Sequence, residues 1–264
     1  MAAKVAVVVF PGSNSEDETL RALTAVGLDA RLVRSDDGGR GLQDADGYVM
    51  PGGFAYEDRI RAGAVAAHDR ALDTIIEAAE KGKPVLGICN GAQILVEAGL
   101  VPGTGPVRRP TAAFAPNVPG GRFRCVHTYV RLAVAPDRSP LLRGLIAGAV
   151  FPAWAAHAEG RLAASFEELA RIRDGEHVAF VYATARGDVV PEAVPNGSAL
   201  GAAGLVNARG NVVALMPHPE RDAWGFMHRE GPARVACRGD LRASLKPSGG
   251  IALFASFARA FDLR

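Results

Sequence analysis

Runs of apolar residues alternate with amphipathic segments through the first hundred residues of the chain. Residues 5–10 form a continuous apolar, β-branched run, the pattern of a strand that is buried on both faces. Shorter apolar runs predict three further strands, at 28–34, 47–50 and 85–88. The segment before the fourth strand carries apolar residues at helical spacing: Leu72, Ile75, Ile76 and Ala79. This alternation of strands and helices predicts an α/β fold with a doubly wound, mostly parallel sheet.

The start of the first helix has a local signature of its own. Ser15 stands where a helix N-cap is expected, and Glu18 follows three residues later. We therefore predict a capping box, in which the two side chains satisfy free backbone N–H groups at the helix end.

The pattern changes from about residue 122 onward. Strand-like runs at 126–135, 178–184 and 212–216 show few clear helices between them. We interpret them as an antiparallel extension of the same sheet, which predicts a single domain over residues 1–264. An Arg-rich stretch, about 222–250, precedes a final apolar-striped helix at 251–261.

Composition narrows the class of protein. The 264 residues are 48% hydrophobic and 22% charged, which excludes a disordered or fibrous chain. A net charge of +2 gives no reason to expect nucleic-acid binding, and no apolar run predicts a signal peptide or a membrane span. Three well-separated cysteines cannot form a closed disulfide framework, so a reduced, cytoplasmic protein is expected. Of these three, Cys125 and Cys237 have no predicted chemistry.

Cys89 lies at the junction between the fourth strand and the helix after it. Gly87 and Gly91 flank it at two residues on either side, the pattern of a nucleophile elbow with a thiol. The N-terminus of the following helix would favour the thiolate. The alternative is a structural cysteine buried at a strand end.

A thiolate nucleophile needs a general acid and base, and His218 has the most suggestive surroundings of the six histidines. It follows an apolar run and stands between two prolines, which hold its backbone extended. Residues at i and i+2 of an extended chain face the same way, so Glu220 can orient the imidazole. The alternative is a histidine that only caps a strand end.

The third candidate element is the turn Pro51-Gly52-Gly53, which follows the third predicted strand. Ligands of open α/β sheets bind at such strand ends. The N–H group of Gly53, with that of Asn90, could face a developing oxyanion. A Gly-rich turn alone would be weak support for this role.

Together these motifs resemble the class I (triad) glutamine amidotransferases, which have a flavodoxin-like α/β fold. Within that class, the chain is most similar to the glutaminase subunits of phosphoribosylformylglycinamidine synthase, an enzyme of purine synthesis. The motifs of the narrower resemblance are Phe-Pro-Gly-Ser-Asn at 10–14, Arg-Ala-Gly-Ala at 61–64, Cys-Asn-Gly-Ala-Gln at 89–93, Ala-His-Ala-Glu-Gly-Arg at 156–161, Pro-Asn-Gly-Ser at 195–198 and His-Pro-Glu at 218–220.

The resemblance implies roles for the matching residues. Cys89 would attack the side-chain amide of glutamine and form a γ-glutamyl thioester, with His218 as acid and base and Glu220 orienting it. Gly53 and Asn90 would form the oxyanion hole. Three residues would contact the substrate glutamine: Gly52, Phe54 and Gln93. His157 and Glu159 would lie in the pocket wall or at an interface.

The resemblance also implies the partners of the chain. Ammonia would pass to a separate synthetase subunit that uses ATP and Mg²⁺, with a small accessory subunit in the same complex. No cofactor or metal is expected in this chain, since the His157 and Glu159 pair has no evident third ligand. One departure lies after the Pro-Gly-Gly-Phe motif, where Glu57 replaces the usual glycine and should alter the loop.

Two other functions fit parts of the sequence. The first is an amidotransferase subunit for another acceptor, because the triad alone does not choose the acceptor. The second is a thiol hydrolase or peptidase-like protein on a similar fold. The segments at 10–14, 61–64 and 156–160 favour the purine-pathway glutaminase over the first. Glu220, two residues after His218 on a Pro-flanked strand end, speaks against the second.

Overall fold

The computed structural model describes residues 2–37, 40–228 and 246–262. The strands in these ranges are β1 (Lys4–Val9), β2 (Asp29–Arg34), β3 (Gly47–Met50), β4 (Val85–Ile88), β5 (Ala112–Pro116), β6 (Arg124–Leu132), β7 (Val150–His157), β8 (Glu159–Ala164), β9 (Val178–Ala183), β10 (Ala202–Val206) and β11 (Val212–Leu215). The α-helices are α1 (Glu16–Ala25), α2 (Ala71–Glu80), α3 (Asn90–Glu97), α4 (Phe166–Asp174) and α5 (Ile251–Arg259).

Five neighbouring strands of the main sheet are parallel, in the order β2-β1-β3-β4-β11. The chain leaves β1 toward one edge of the sheet through α1, and leaves β3 toward the other edge through α2. Because such crossovers are right-handed, α1 and α2 cover opposite faces of the sheet. The predicted doubly wound α/β fold is confirmed. The helix predicted from Leu72, Ile75, Ile76 and Ala79 buries all four of those side chains.

The antiparallel extension is confirmed as well. It continues the sheet from β11 in the order β10-β9-β6-β7, and every added pair is antiparallel. The apolar runs predicted β6, β9 and β11, but several elements here were not predicted: β5, β7, β8, β10 and α4. β5 and β8 form a separate antiparallel pair. A single domain over 1–264 stays a prediction.

The predicted capping box at Ser15 is wrong. Helix α1 does begin at the next residue, but the Ser15 side chain makes no capping hydrogen bond. Its hydroxyl instead accepts a hydrogen bond from Arg221 Nη2 at 2.9 Å and lies 3.2 Å from Asn14 Oδ1. The hydroxyl therefore ties the start of α1 to the segment after β11. The first turn of α1 carries three acidic residues, Glu16, Asp17 and Glu18. Their negative charges interact favourably with the positive end of the helix dipole and stabilise the helix start.

The carboxyl ends of the parallel strands define one edge where the candidate residues meet. The turn after β1 and the turn after β3 touch through a bridge between Ser13 and Gly53. These two strands lead to helices on opposite faces, so a crevice opens between their ends. Cys89 directly follows β4, and His218 lies three residues after β11. The topology alone thus brings four loops to one place.

The Arg-rich stretch about 222–250 is described only in part, since residues 229–245, including Cys237, lie outside the described ranges. Among the described helices, none combines the length and the apolar character that crossing a membrane requires.

The core under the sheet gives a first prediction. Ile75 on α2 is completely buried, whereas Ile146 is 78% exposed. We expect Ile75→Ala to lower the free energy of unfolding by about 2–5 kcal/mol, because it removes buried contacts and leaves a cavity. Ile146→Ala is the matched control and should change stability by less than about 0.5 kcal/mol. Denaturant unfolding of both variants checks this, and equal losses would contradict the packing of α2.

Candidate active site

Cys89 occupies a cramped turn between β4 and α3. Its backbone has φ 51° and ψ −106°, a conformation that residues with a side chain rarely adopt. A Cβ atom on Gly91 would lie 2.1 Å from the Met50 carbonyl oxygen, and one on Gly87 would lie 2.6 Å from the Gly91 oxygen. Both glycines are therefore required by close backbone contacts. The turn holds the thiol at the N-terminus of α3, as predicted for a nucleophile elbow.

His218 and Glu220 form a buried pair beside this thiol. His218 Nδ1 hydrogen-bonds Glu220 Oε1, and both side chains are almost inaccessible to solvent. The His218 backbone is held in turn by Trp154 of β7, since their N–H and carbonyl groups bond in both directions at 2.8 and 3.1 Å. With Nδ1 taken by Glu220, Nε2 is the nitrogen left for Cys89.

The charges around His218 decide its protonation. Burial lowers the pKa of His218, but the negative charges of Glu220 and Cys89 outweigh burial and raise it to about 10. The hydrogen bond between the imidazole and Glu220 acts in the same direction. At neutral pH the site therefore favours the imidazolium form of His218, which places a positive charge beside the Cys89 sulfur.

Gly52 provides the space for the imidazole. A Cβ atom at this position would lie 2.4 Å from His218 Cε1 and 3.2 Å from Nδ1. The Gly52 carbonyl also accepts hydrogen bonds from the N–H groups of Asn14 and Ser15. We predicted from the sequence that Gly52 contacts the substrate; the structure places it against the imidazole of His218 and outside the lining of the pocket.

Two backbone N–H groups next to the Cys89 turn have no hydrogen-bond acceptor among the described residues. Gly53 has φ 153°, and a Cβ atom there would lie 2.6 Å from Ser13 Cα, so only glycine fits. Asn90 is the first residue of α3, where the helix leaves its N–H groups without internal partners. Within the described residues, neither the Gly53 nor the Asn90 N–H has a hydrogen-bond acceptor. Both positions match the predicted oxyanion hole, whose role stays a prediction.

A narrow pocket opens beside the thiol. Its walls contain the predicted substrate and wall residues except Gly52; the lining consists of Gly53, Phe54, Asp58, Ala62, Cys89, Gln93, Ala156, His157, Ala158 and Glu159. Phe54 is 47% exposed and stands at the mouth. Phe54 and Gln93, which we expect to contact the substrate, lie in this lining. So do His157 and Glu159, which we expect in the pocket wall or at an interface; the four roles stay predictions.

Hydrogen bonds join the side chains of this pocket into one network. The side-chain nitrogen of Asn90, Nδ2, donates to Asp58 Oδ1 at 3.0 Å and to Gln93 Oε1 at 2.9 Å. Gln93 Nε2 donates to the Glu159 carbonyl at 2.5 Å, and the Glu159 carboxylate accepts the Ala62 N–H at 3.1 Å. The network therefore fixes the loop after β3 relative to α3 and β8.

Asp58 is a pocket residue that the sequence analysis missed. Burial and then the charge of Glu159 raise its pKa to about 6, against the effect of the hydrogen bond from Asn90. Its place at the end of the Pro-Gly-Gly-Phe-Ala-Tyr-Glu-Asp segment was the available signal. Two carboxyl groups, Asp58 and Glu159, thus face the pocket and would favour a cationic group of the substrate.

His157 is buried at the back of the pocket and carries no positive charge at neutral pH. Burial, followed by repulsion from His218, lowers its pKa to about 4. Neither ring nitrogen has a hydrogen-bond partner among the described residues. A Cβ atom on Gly160 would overlap the ring at 2.1 Å, so this glycine makes room for it. The imidazole is therefore a neutral wall of the pocket.

The loop after β3 contains several residues in the left-handed region. Tyr56, Glu57 and Asp58 have φ values of 54°, 59° and 51°. Glu57 is the position at which the sequence departs from the resembled family, where glycine would adopt this φ without strain. The Glu57 side chain points outward and pairs with Arg59 at 2.9 Å. The replacement thus leaves the loop conformation possible but strained.

Cys89, His218 and Glu220 have the arrangement of a thiol nucleophile with a histidine and its orienting carboxylate, and comparison with known proteins gives the family. Residues 2–254 match the model of the CobB/CobQ-like glutamine amidotransferase domain. The chain belongs to this glutamine amidotransferase family. The described fold and the positions of Cys89, His218 and Glu220 accord with that membership.

Several members of the family are similar to this chain over most of its length. The chain is 42% identical over 233 residues to the phosphoribosylformylglycinamidine synthase subunit PurQ of Pyrococcus furiosus, covering 88% of this chain and 95% of that protein. It is 42% identical over 222 residues to the Salinibacter ruber protein of the same name, covering 84% and 88%. A chain in the structure of PurLQS from Thermotoga maritima matches with a TM-score of 0.73 and 31% identity, covering 97% of this chain and 98% of that chain.

The charge of Glu220 gives a prediction for the thiol. Glu220→Gln removes one of the negative charges that raise the pKa of His218, so the imidazolium beside Cys89 becomes less populated at pH 7. We expect alkylation of Cys89 by iodoacetamide, followed by peptide mass spectrometry, to slow roughly tenfold or more. Glu192→Gln, at an exposed and remote position, is the control. An unchanged rate in Glu220→Gln would contradict the proposed charge coupling.

A second prediction concerns the space at Gly52. Gly52→Ala places a methyl group against His218 and should displace the imidazole, so Cys89 alkylation at pH 7 slows although the chain remains folded. Gly82→Ala serves as the comparison, because Gly82 has a positive φ but no atom within 4 Å of its Cβ position. Gly82→Ala adds a backbone strain that Gly52→Ala does not have, because Gly52 is not at a positive φ, and it leaves the site untouched. Equal alkylation rates in both variants would show that the imidazole does not depend on Gly52.

Proposed function

We propose that this chain is the glutaminase subunit of phosphoribosylformylglycinamidine synthase. The observation that carries the proposal is the buried arrangement of Cys89, His218 and Glu220 beside the Gly53 and Asn90 N–H groups, which have no acceptor among the described residues. The names of the PurQ relatives supply the acceptor and the pathway. In this proposal, the chain hydrolyses glutamine to glutamate and ammonia, and the ammonia is used by another subunit.

The reaction follows from the positions of the groups. The Cys89 thiolate attacks the amide carbon of the glutamine side chain, and the Gly53 and Asn90 N–H groups bind the resulting oxyanion. His218 gives its proton to the leaving nitrogen, so ammonia departs and a γ-glutamyl thioester remains. The imidazole then takes a proton from water, which attacks the thioester and releases glutamate. Glu220 orients His218 and stabilises its positive form throughout.

The pocket has groups for both ends of glutamine. Asp58 and Glu159 provide negative charge for the α-ammonium group, and Gln93 provides an amide at the wall. Phe54 at the mouth would cover the aliphatic part of the substrate. The neutral His157 lies at the back of the pocket. Because it carries no positive charge, it does not compete with His218 as the partner of the Cys89 thiolate. These roles are consistent with the lining of the pocket.

The partners follow from the same proposal. The synthetase subunit, with a small accessory subunit, would receive ammonia through a tunnel and use ATP and Mg²⁺ to convert formylglycinamide ribonucleotide to its amidine. No step proposed for the triad calls on a cofactor held by this chain. The PurLQS name of the Thermotoga maritima structure supports an assembly of this kind. We place the protein in the cytoplasm, where the free thiols of Cys89 and Cys125 would remain reduced.

The two other functions have less support. An amidotransferase subunit for another acceptor would use the same triad, but the relatives at 42% identity share the purine-pathway name. A peptidase-like hydrolase would need a cleft for an extended chain, whereas the described pocket beside Cys89 is narrow and partly closed by the loop after β3.

The nucleophile can be tested in the assembled enzyme. We expect Cys89→Ala to abolish glutamine-dependent synthesis of the amidine, lowering it by a factor of about 10⁴ or more, because no thioester forms. Ammonia-dependent synthesis should survive, since the acceptor reaction takes place in the partner. Cys125→Ala, at an exposed thiol, is the control and should retain both activities. Loss of the ammonia-dependent reaction in Cys89→Ala would indicate a failed assembly, which size-exclusion chromatography detects.

The isolated chain gives a second readout of the same proposal. Its glutaminase activity should be weak alone and rise strongly when the synthetase subunit, ATP and formylglycinamide ribonucleotide are added. Strong hydrolysis without the partner, unchanged by Cys89→Ala, would refute the proposal.

A further inference from the structure

Two histidines without local sequence context meet a buried aspartate on the far side of the triad segment. His127 lies on β6, Asp222 ends the turn that contains Glu220, and His228 follows six residues later. His127 Nε2 lies 2.8 Å from Asp222 Oδ2, and His228 Nδ1 lies 3.0 and 3.1 Å from the two carboxylate oxygens. The three ligand atoms all lie within 4.8 Å of one another.

The charge of Asp222 needs compensation. Its side chain is completely buried, and a buried carboxylate is costly without a cationic partner. In the described ranges, its only ion-pair partners are the imidazoles of His127 and His228, and Ser248 Oγ adds a hydrogen bond at 2.8 Å. Either a protonated imidazole or a divalent cation can supply the missing positive charge.

We propose that His127, Asp222 and His228 bind a divalent transition-metal ion, with Zn²⁺ as the best match. Two imidazole nitrogens and one carboxylate oxygen are a donor set that suits zinc. Zinc ligands at about 2.0–2.1 Å in a tetrahedron lie about 3.3 Å from each other. The distances from the two histidine nitrogens to the Asp222 oxygens are 2.8–3.1 Å, a few tenths of an ångström shorter, and all three ligand atoms lie within 4.8 Å of one another, so binding requires a small adjustment of the side chains.

His228 is the side chain that can move. Its exposed fraction is 22%, whereas those of His127 and Asp222 are 4% and 0%. The rings of Tyr129 and Trp154 pack against the His127 ring in T-shaped arrangements and fix its orientation. Two ligands are thus held rigidly in place, and the third lies on the solvent side. A fourth position remains for water or another donor.

The position of the site gives the ion a structural role. The Asp222 carbonyl accepts the Gly250 N–H at 3.1 Å, and Asp222 lies two residues after Glu220. An ion held here would link β6, the turn that carries Glu220 and the segment that leads to α5. It would stabilise the triad segment without touching the substrate.

The test measures zinc on the full chain. Because Cys89 and His218 could themselves bind zinc, the experiment uses the Cys89→Ala variant with its remaining thiols alkylated by iodoacetamide. Bound metal is removed from the chain with a chelator, and the chain is then dialysed against ZnCl₂. Its zinc content is measured by inductively coupled plasma mass spectrometry. We expect one zinc per chain, and a melting temperature raised by roughly 5–10 °C at zinc concentrations near 100 times Kd.

Matched variants locate the ion. His228→Ala changes the most exposed ligand, so the chain should fold and yet lose both the zinc and the rise in melting temperature. His68→Ala, at an exposed histidine outside the cluster, should keep both. Asp222→Asn provides a second, isosteric variant if His228→Ala is poorly folded. Absence of stoichiometric zinc in the parent, or zinc retained in His228→Ala and Asp222→Asn, would overturn the proposal and leave a hydrogen-bonded cluster.

Discussion

The candidate site depends on close backbone contacts that only glycine permits. Gly91 brings the start of α3 against the Met50 carbonyl, and Gly52 lies against the imidazole of His218. Side chains at these two positions would separate the ends of β3, β4 and β11. The thiol, the imidazole and the oxyanion N–H groups could not then converge. The tight packing of three loops at one sheet edge is therefore the condition on which the chemistry depends.

The site also depends on charge interactions among its buried groups. Burial alone would disfavour charge on Cys89, His218 and Glu220, yet the three groups lie together and compensate one another. The raised pKa of His218 expresses this balance, with two negative neighbours outweighing burial. His157 shows the opposite case, because it is buried near a cation without an anion of its own, and its pKa falls to about 4. Two neighbouring histidines are thereby given different charges.

Local sequence patterns predicted the parts of the fold that local physics determines. The sequence predicted β1, β3 and β4 correctly, because strands buried on both faces are continuous apolar runs. It also predicted the elbow around Cys89, because two glycines flank that residue. β7 and β10 were missed, since their small and mixed residues pack against neighbours that are distant in sequence. The capping role of Ser15 failed for a similar reason: its hydroxyl is engaged by Arg221. The cluster of His127, Asp222 and His228 had no local signal at all, because β6 meets the other two residues only in the folded chain.

The most direct test of the account is to trap the intermediate on the assembled enzyme. Glutamine is added, the reaction is quenched in acid within one turnover, and the chain is digested and analysed by mass spectrometry. The account predicts one added γ-glutamyl group on the peptide that contains Cys89, and its absence in Cys89→Ala. Turnover of glutamine with no adduct at Cys89, or with the adduct on Cys125 instead, would contradict the assignment of the nucleophile.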